Sequence, residues 1–378
     1  MVKTVGNWQT TPTETIAAAA YLVSLSEDGQ RLAALTDDGA SFEVWNTQTN
    51  SLLLTATADE PNSGFSIVAI SKDGTQVAAI KFTSTTGEQR LIVQAIEDGR
   101  VLLNKPLNPP QLPPPKKDYI TQPYATDIVF SPDGKQVITQ FALSTKLSSE
   151  PFGSTIYNSI SFHDIKTGEV AQSIDLLGVD DKVPVGYMVS PDGSLLASLS
   201  SDFSNLTISD LGIITRVTIW QRNQDNRFDY LTTLPISEDG FAVFDAAFTT
   251  SNQLNLITTS SLSNLLANPM AGKPSQISLE TWNPQTATRV SSTILPTENC
   301  IGPDNVLLSP DGTGYYSSYP DAGTCLGNVK TGEFQKLPDQ PFTFNSMVKF
   351  SGNGNRLAIS NSADSIGQNV QIFSKSQN

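Results

Sequence analysis

Residues 187–199 read YMVSPDGSLLASL. An apolar run that alternates with polar residues meets Ser-Pro-Asp-Gly, and a second apolar run follows. Alternation at period two is the signature of a half-buried strand. At the break, Pro presets φ, Asp bonds its own backbone and Gly accepts a positive φ. The stretch therefore encodes an antiparallel hairpin.

The same unit recurs along the chain. LVSLSEDGQRLAAL spans 22–35, IVAISKDGTQVAAI 67–80, IVFSPDGKQVIT 128–139, VLLSPDGTGYYSS 306–318 and VKFSGNGNRLAIS 348–360. A degenerate copy, AAFTTSNQLNLIT, occupies 246–258. The turns begin at Ser26, Ser71, Ser131, Ser190, Thr249, Ser309 and Ser351, so the spacing is either 42–45 or 59–60 residues. After each hairpin comes a third apolar strand, such as SFEVW at 41–45 or RVTIW at 216–220. A polar turn, often Thr-Gly-Glu, then leads to a fourth strand. Four antiparallel strands repeated seven times predict an all-β chain forming a single seven-bladed β-propeller. Two packed β-sandwiches would not impose one period on the whole chain.

The expected blades are 18–58, 65–106, 125–176, 184–236, 242–295, 305–339 and 345–378. The last holds three strands, and an open ring would leave edge strands unpaired. The segment 3–10 (KTVGNWQT) is expected to supply the missing outer strand.

The Ser-Pro-Asp-Gly turns and the Trp near the end of a third strand, at Trp45, Trp220 and Trp282, resemble the WD-repeat and related bacterial propeller superfamily. The resemblance covers nearly the whole chain and implies the propeller fold. The chain departs from the eukaryotic pattern. Trp-Asp never occurs and no Gly-His pair precedes a repeat, so the His–Asp–Trp network of those members is absent. Propellers host enzymes, receptors and scaffolds alike, so the resemblance does not assign an activity.

Composition narrows the function classes. The 378 residues carry 23 Lys+Arg against 37 Asp+Glu, a formal charge of −14. Such a field repels phosphate backbones and anionic lipid, which argues against nucleic-acid and membrane-surface roles. No apolar run reaches the length of a membrane span. Residues 16–25 lack the flanks of a signal peptide and their second half reads as a strand. The expected location is cytoplasmic if Met1 is the native start, and extracytoplasmic if a leader was removed. The two cysteines, Cys300 and Cys325, are either free buried thiols or one bridge across the entry to blade 6.

Few residues carry a chemical signal. His163, the only histidine, falls in register with Trp45, Trp220 and Trp282 and reads as a packing residue. Asp127, Asp245 and Asn305 hold equivalent positions in first strands, which line the channel of a propeller. Their oxygens there would suit Ca²⁺, the basis of an alternative reading as a lactonase-like hydrolase. The opposing reading is that each simply accepts main-chain N–H bonds. The loop NQDNRFD at 223–229 lacks the Gly and closing Glu of a calcium loop.

The insertions give the favoured reading. Residues 104–124, which hold seven prolines, join blades 2 and 3; residues 142–158, 201–215 and 260–276 join second to third strands in blades 3, 4 and 5. In a propeller all four lie at one end of the ring. Long loops on a rigid scaffold tend to carry function. They bring Phe152, Phe203, Leu206, Leu211, Ile213, Leu262, Leu265, Leu266 and Met270 to that end. The expected function is a non-enzymatic scaffold that binds a protein or peptide there, with no cofactor.

Overall fold

The computed structural model describes residues 4–5, 8–36, 38–108, 119–147, 154–176, 183–201, 216–236, 242–259, 277–295, 305–319, 323–337, 348–361 and 369–376. Seven four-stranded antiparallel sheets, one per repeat, form the blades of a ring. In blade 4 the strands are Val183–Val189, Leu195–Ser201, Arg216–Arg222 and Phe228–Thr233, numbered here from the channel outward. Blade 3 is the tallest. Its first three strands, Tyr119–Phe130, Gln136–Leu147 and Ser154–Asp164, run 12, 12 and 11 residues.

The turn chemistry explains the repeat. In six blades the turn serine donates its hydroxyl to the residue two places on, as Ser190 does to Asp192 and Ser351 to Asn353. The same oxygen accepts the N–H five places on, as from Leu195. Burial opposes the charge on Asp73, Asp133 and Asp192. The serine hydroxyl and main-chain N–H bonds overcome it and hold these carboxyls below the usual range. The turn glycines take positive φ, as at Gly134 (68°), Gly193 (74°) and Gly312 (69°). In the degenerate copy Asn252 does so instead, at 58°, which is tolerable for Asn.

The core is divided among the blade interfaces. Seven separate apolar clusters each join one blade to the next, the last joining blade 7 to blade 1. In the interface of blades 3 and 4, for example, Ile138, Ile160 and Phe162 meet Tyr187, Leu196 and Phe228. Each sheet buries both faces against its neighbours, which is why the strands read as near-continuous apolar runs.

Closure uses the N-terminus, but through a different segment from 3–10. The fourth strand of blade 7 is Glu14–Ile16, paired with Asn369–Ser374 in the register Glu14↔Ile372 and Ile16↔Val370. Ile16 is fully buried while its neighbour Thr15 is exposed, the alternation an outer strand needs. Within 3–10, Thr4–Val5 and Trp8–Gln9 instead pair with each other, and Trp8 bridges Lys375. Trp8 is completely buried in the interface of blades 6 and 7. Its ring meets Phe350 edge-on at 5.7 Å, and the Lys375 ammonium lies over it at 4.9 Å. A bulky indole committed to an interblade pocket cannot also serve as an outer-strand residue.

Candidate functional site

The first strands of blades 1 to 5 share an irregularity. Pairing with the second strand skips one residue between Ala20 and Leu22, Phe65 and Ile67, Ala125 and Asp127, Pro184 and Gly186, and Val243 and Asp245. A β-bulge bends its strand and re-aims the following side chain. The residue after the bulge is thus repeated in space: Leu22, Ile67, Asp127, Gly186 and Asp245. Asn305 opens the first strand of blade 6 at the equivalent place, paired with Ser318. The side chain of Asn305 lies outside the described residues.

Asp127 and Asp245 line a central cavity of about 610 Å³, walled by first-strand residues from all seven blades. At the hairpin end it is ringed by the second turn residue of each blade: Glu27, Lys72, Pro132, Pro191, Thr250, Pro310 and Gly352. Burial pushes the Asp245 carboxyl up to about 7, although it accepts the Leu308 N–H at 2.6 Å and bonds the Ala246 N–H. Burial also raises Asp127, against the pull of Lys349 and a 2.9 Å bond from the Ile128 N–H. The surface that Asp127 retains opens into the channel. Tyr187, buried between blades, donates its hydroxyl to the Ile138 carbonyl at 2.9 Å; burial, and then the Asp127 charge, raise it well above its ordinary value.

The two aspartates thus share one channel, as their register implies, and both accept main-chain N–H bonds. Lys349 was not evident as a channel residue from the sequence. Its signal is visible in retrospect: it stands where the other first strands carry Ser24, Ala69, Val129, Met188, Ala247 and Leu307. Among the described residues no three His, Cys, Asp or Glu side chains gather as a metal set. Ca²⁺ takes six to eight oxygen ligands, and Asp245 already spends acceptor capacity on two N–H groups.

His163 sits opposite Val137 as Trp45 sits opposite Leu32, Trp220 opposite Leu196 and Trp282 opposite Leu254. Its Nε2 lies 2.9 Å from the Thr139 hydroxyl, and burial pushes it down to about 4. It is a neutral core group. The Asn223 side chain in the 223–229 loop accepts the N–H groups of Asp225 and Arg227, as a turn between strands does.

Phe152, Phe203, Leu206, Leu211, Ile213, Leu262, Leu265, Leu266 and Met270 lie outside the described residues, as does Cys300. Cys325 is fully buried in the third strand of blade 6, and no described cysteine is free. No helix among the described residues is long and apolar enough to cross a membrane.

No family model matches the chain, and no curated protein matches its sequence. In contrast, 1149 solved chains match its fold, so the architecture is too widespread to assign an activity. One belongs to the crystal structure of the mitotic checkpoint complex. It has a TM-score of 0.58 and 16% identity, and the match covers 99% of this chain and 94% of that one. At that identity the likeness is one of fold, and the fold is a WD-repeat-like, seven-bladed propeller.

Proposed function

We propose that the chain is a non-enzymatic scaffold that binds a protein or peptide on the loop-rich end of blades 2 to 5. The observation that supports this reading is topological. First-to-second and third-to-fourth connections share one end of the ring, and that end is closed by short turns. Second-to-third connections and those between blades share the other end, which therefore receives every long insertion. The tall strands of blade 3 extend the scaffold toward that end. The fold neighbour is part of a protein complex, a setting in keeping with this role.

The test uses Phe203→Ala with Leu206→Ala in the full chain. Unchanged melting with loss of partner capture is the expected result. A large fall in melting temperature with capture intact would show that the loops only pack on one another. The hydrolase alternative is separated by metal analysis of the purified protein. Stoichiometric Ca²⁺ that disappears in Asp127→Ala would favour it.

A further inference from the structure

The outer strand of each blade is a free sheet edge, and native edges are blunted by charge, by proline or by shortness. The outer strand of blade 2, Val101–Pro106, ends in Lys105 and Pro106. Those of blades 3 and 4, Val170–Asp175 and Phe228–Thr233, carry Asp175 and Asp229. Blades 6 and 7 end in strands of three residues, Phe334–Lys336 and Glu14–Ile16. In blade 5 the outer strand Thr288–Leu295 runs eight residues without a proline. Its single charged residue, Arg289, is held at 2.7 Å by Glu280 of the same sheet.

This strand is also little covered. Every residue from Thr288 to Ile294 is exposed, and only Leu295 is buried. Ile294 and Val290, at 65% and 56%, are the most exposed large apolar side chains among the described residues. The ladder skips Val290 between Thr281↔Ser291 and Trp282↔Arg289, and is regular from there to Ile277↔Leu295. Ser291–Leu295 is thus paired on one side to residues 277–281 and on the other to no described strand. The uncharged outer strand of blade 1, Ser51–Thr57, differs, because its Leu54 and Ala56 pack into the interface with blade 2. Beside the blade 5 strand lies a pocket of about 340 Å³, lined by Pro235 and Ile236 from blade 4 and by Trp282 and Ala287 from blade 5. Ile294 pairs with Ser278, which shares a strand face with Glu280 and Trp282, so Ile294 stands on the pocket's side of the sheet.

We propose that blade 5 binds an extended segment of a partner polypeptide, which adds to Ser291–Leu295 as a further strand and sets an apolar side chain in the pocket at Trp282. A row of free main-chain N–H and C=O groups is complemented by another extended chain. The strand mixes Ser and Thr with apolar residues and carries no net charge once Arg289 has met Glu280. Cross-strand pairing therefore favours an uncharged partner segment rich in β-branched residues. A second copy of the chain is the poorer occupant. Eight residues at about 3.4 Å each, across a sheet about 10 Å thick, give roughly 270 Å² per partner. Two globular proteins in a stable pair bury roughly 800 Å² each. Both copies would also bring a charge of −14. A slender segment follows the strand and also fills the pocket. The strand lies on the outer rim of the ring, so the proposal stands or falls independently of the loop-end surface.

The probe is the uncharged peptide acetyl-Gln-Val-Thr-Val-Thr-Val-Gln-amide, dye-labelled and titrated with the full chain by fluorescence anisotropy. The control is the same peptide with its central Val replaced by Pro, which removes a main-chain donor and disfavours the strand. Saturable binding that weakens about tenfold or more in the proline peptide is expected. Ile294→Lys guards the edge at an exposed position and should weaken binding about fivefold or more, with the melting temperature unchanged. Leu53→Lys, on the outer strand of blade 1, should leave binding intact. Equal binding of the two peptides, binding that survives Ile294→Lys or is lost in Leu53→Lys, or no saturable binding would overturn the proposal. A self-associated chain that Ile294→Lys converts to a monomer would also overturn it, since a second copy would then occupy the edge.

Discussion

Replacing Trp8 by Ala removes the largest fully buried side chain of the ring closure. Truncating a buried Trp costs about 3–5 kcal/mol. The Phe350 contact and the Lys375 cation over the ring place Trp8 within that range. One effect acts the other way. The indole N–H has no hydrogen-bond partner, and removing a buried unpaired donor returns about 1–3 kcal/mol. The expected net loss is about 2 kcal/mol, within a span of about 0–4. For a chain of 378 residues that melts as one unit, an unfolding entropy of about 2.1 cal/mol/K per residue converts this to a fall of roughly 2–3 °C, and of about 5 °C at the upper end. The sharper test is a double-mutant cycle with Gly314. A Cβ at Gly314 would lie 2.6 Å from the Trp8 Nε1, while its next neighbour outside the indole, the Gly327 carbonyl, is 3.5 Å away. Gly314→Ala should therefore cost about 1–3 kcal/mol by overpacking in the wild-type chain. In the Trp8→Ala background the clash is gone, and the substitution should be neutral or stabilising by about 0.4–1 kcal/mol. Chemical denaturation of the four proteins measures the coupling. Additivity within about 0.5 kcal/mol would refute the placement of Trp8 against blade 6.

Gly134→Ala and Gly193→Ala should each cost about 1–2 kcal/mol. At Gly134 an added Cβ meets nothing within 4 Å, and at Gly193 only Pro132 at 3.8 Å, so the penalty is one of positive φ alone; unchanged melting would contradict the turn geometry. Two buried groups should give opposite pH dependences of stability. Asp245, raised by burial to about 7, contributes stability that is full below pH 4 and lost as pH rises through 7. His163, lowered by burial to about 4, contributes stability that is full above pH 6.5 and lost as pH falls through 4. Denaturation between pH 4 and 8 should thus become steeper toward acid loss in Asp245→Asn and lose that acid-side fall in His163→Gln; parallel profiles in all three proteins would refute both assignments. We also propose that Cys300 and Cys325 form a disulfide. Alkylation of protein from its native source without reductant should label neither, and two labelled thiols would disprove the bridge.

What the sequence revealed follows from where each kind of information is stored. The hairpins were legible because one turn carries its own chemistry: Ser131, Asp133 and Gly134 bond within a few residues of each other and need nothing from the rest of the chain. Repetition of that local unit then implied the ring. Closure was harder, because the choice between two neighbouring N-terminal segments depends on a distant partner. Both 3–10 and 14–16 contain short alternating stretches, and only the interblade pocket for Trp8 separates a side-chain anchor from a strand. The channel lay between these cases. Asp127 and Asp245 could be placed by register, but their relation to Gly186 and Lys349 depends on a bulge and on blades lying opposite one another. Neither leaves a mark in the spacing of the turns. The bulge recurs in five consecutive blades whether the residue that follows is Leu22 or Asp127. It is therefore a property of the scaffold, and the choice of residue placed after it is free to vary. That freedom separates what the fold demands from what it leaves open, and the carboxyls of Asp127 and Asp245 belong to the second category.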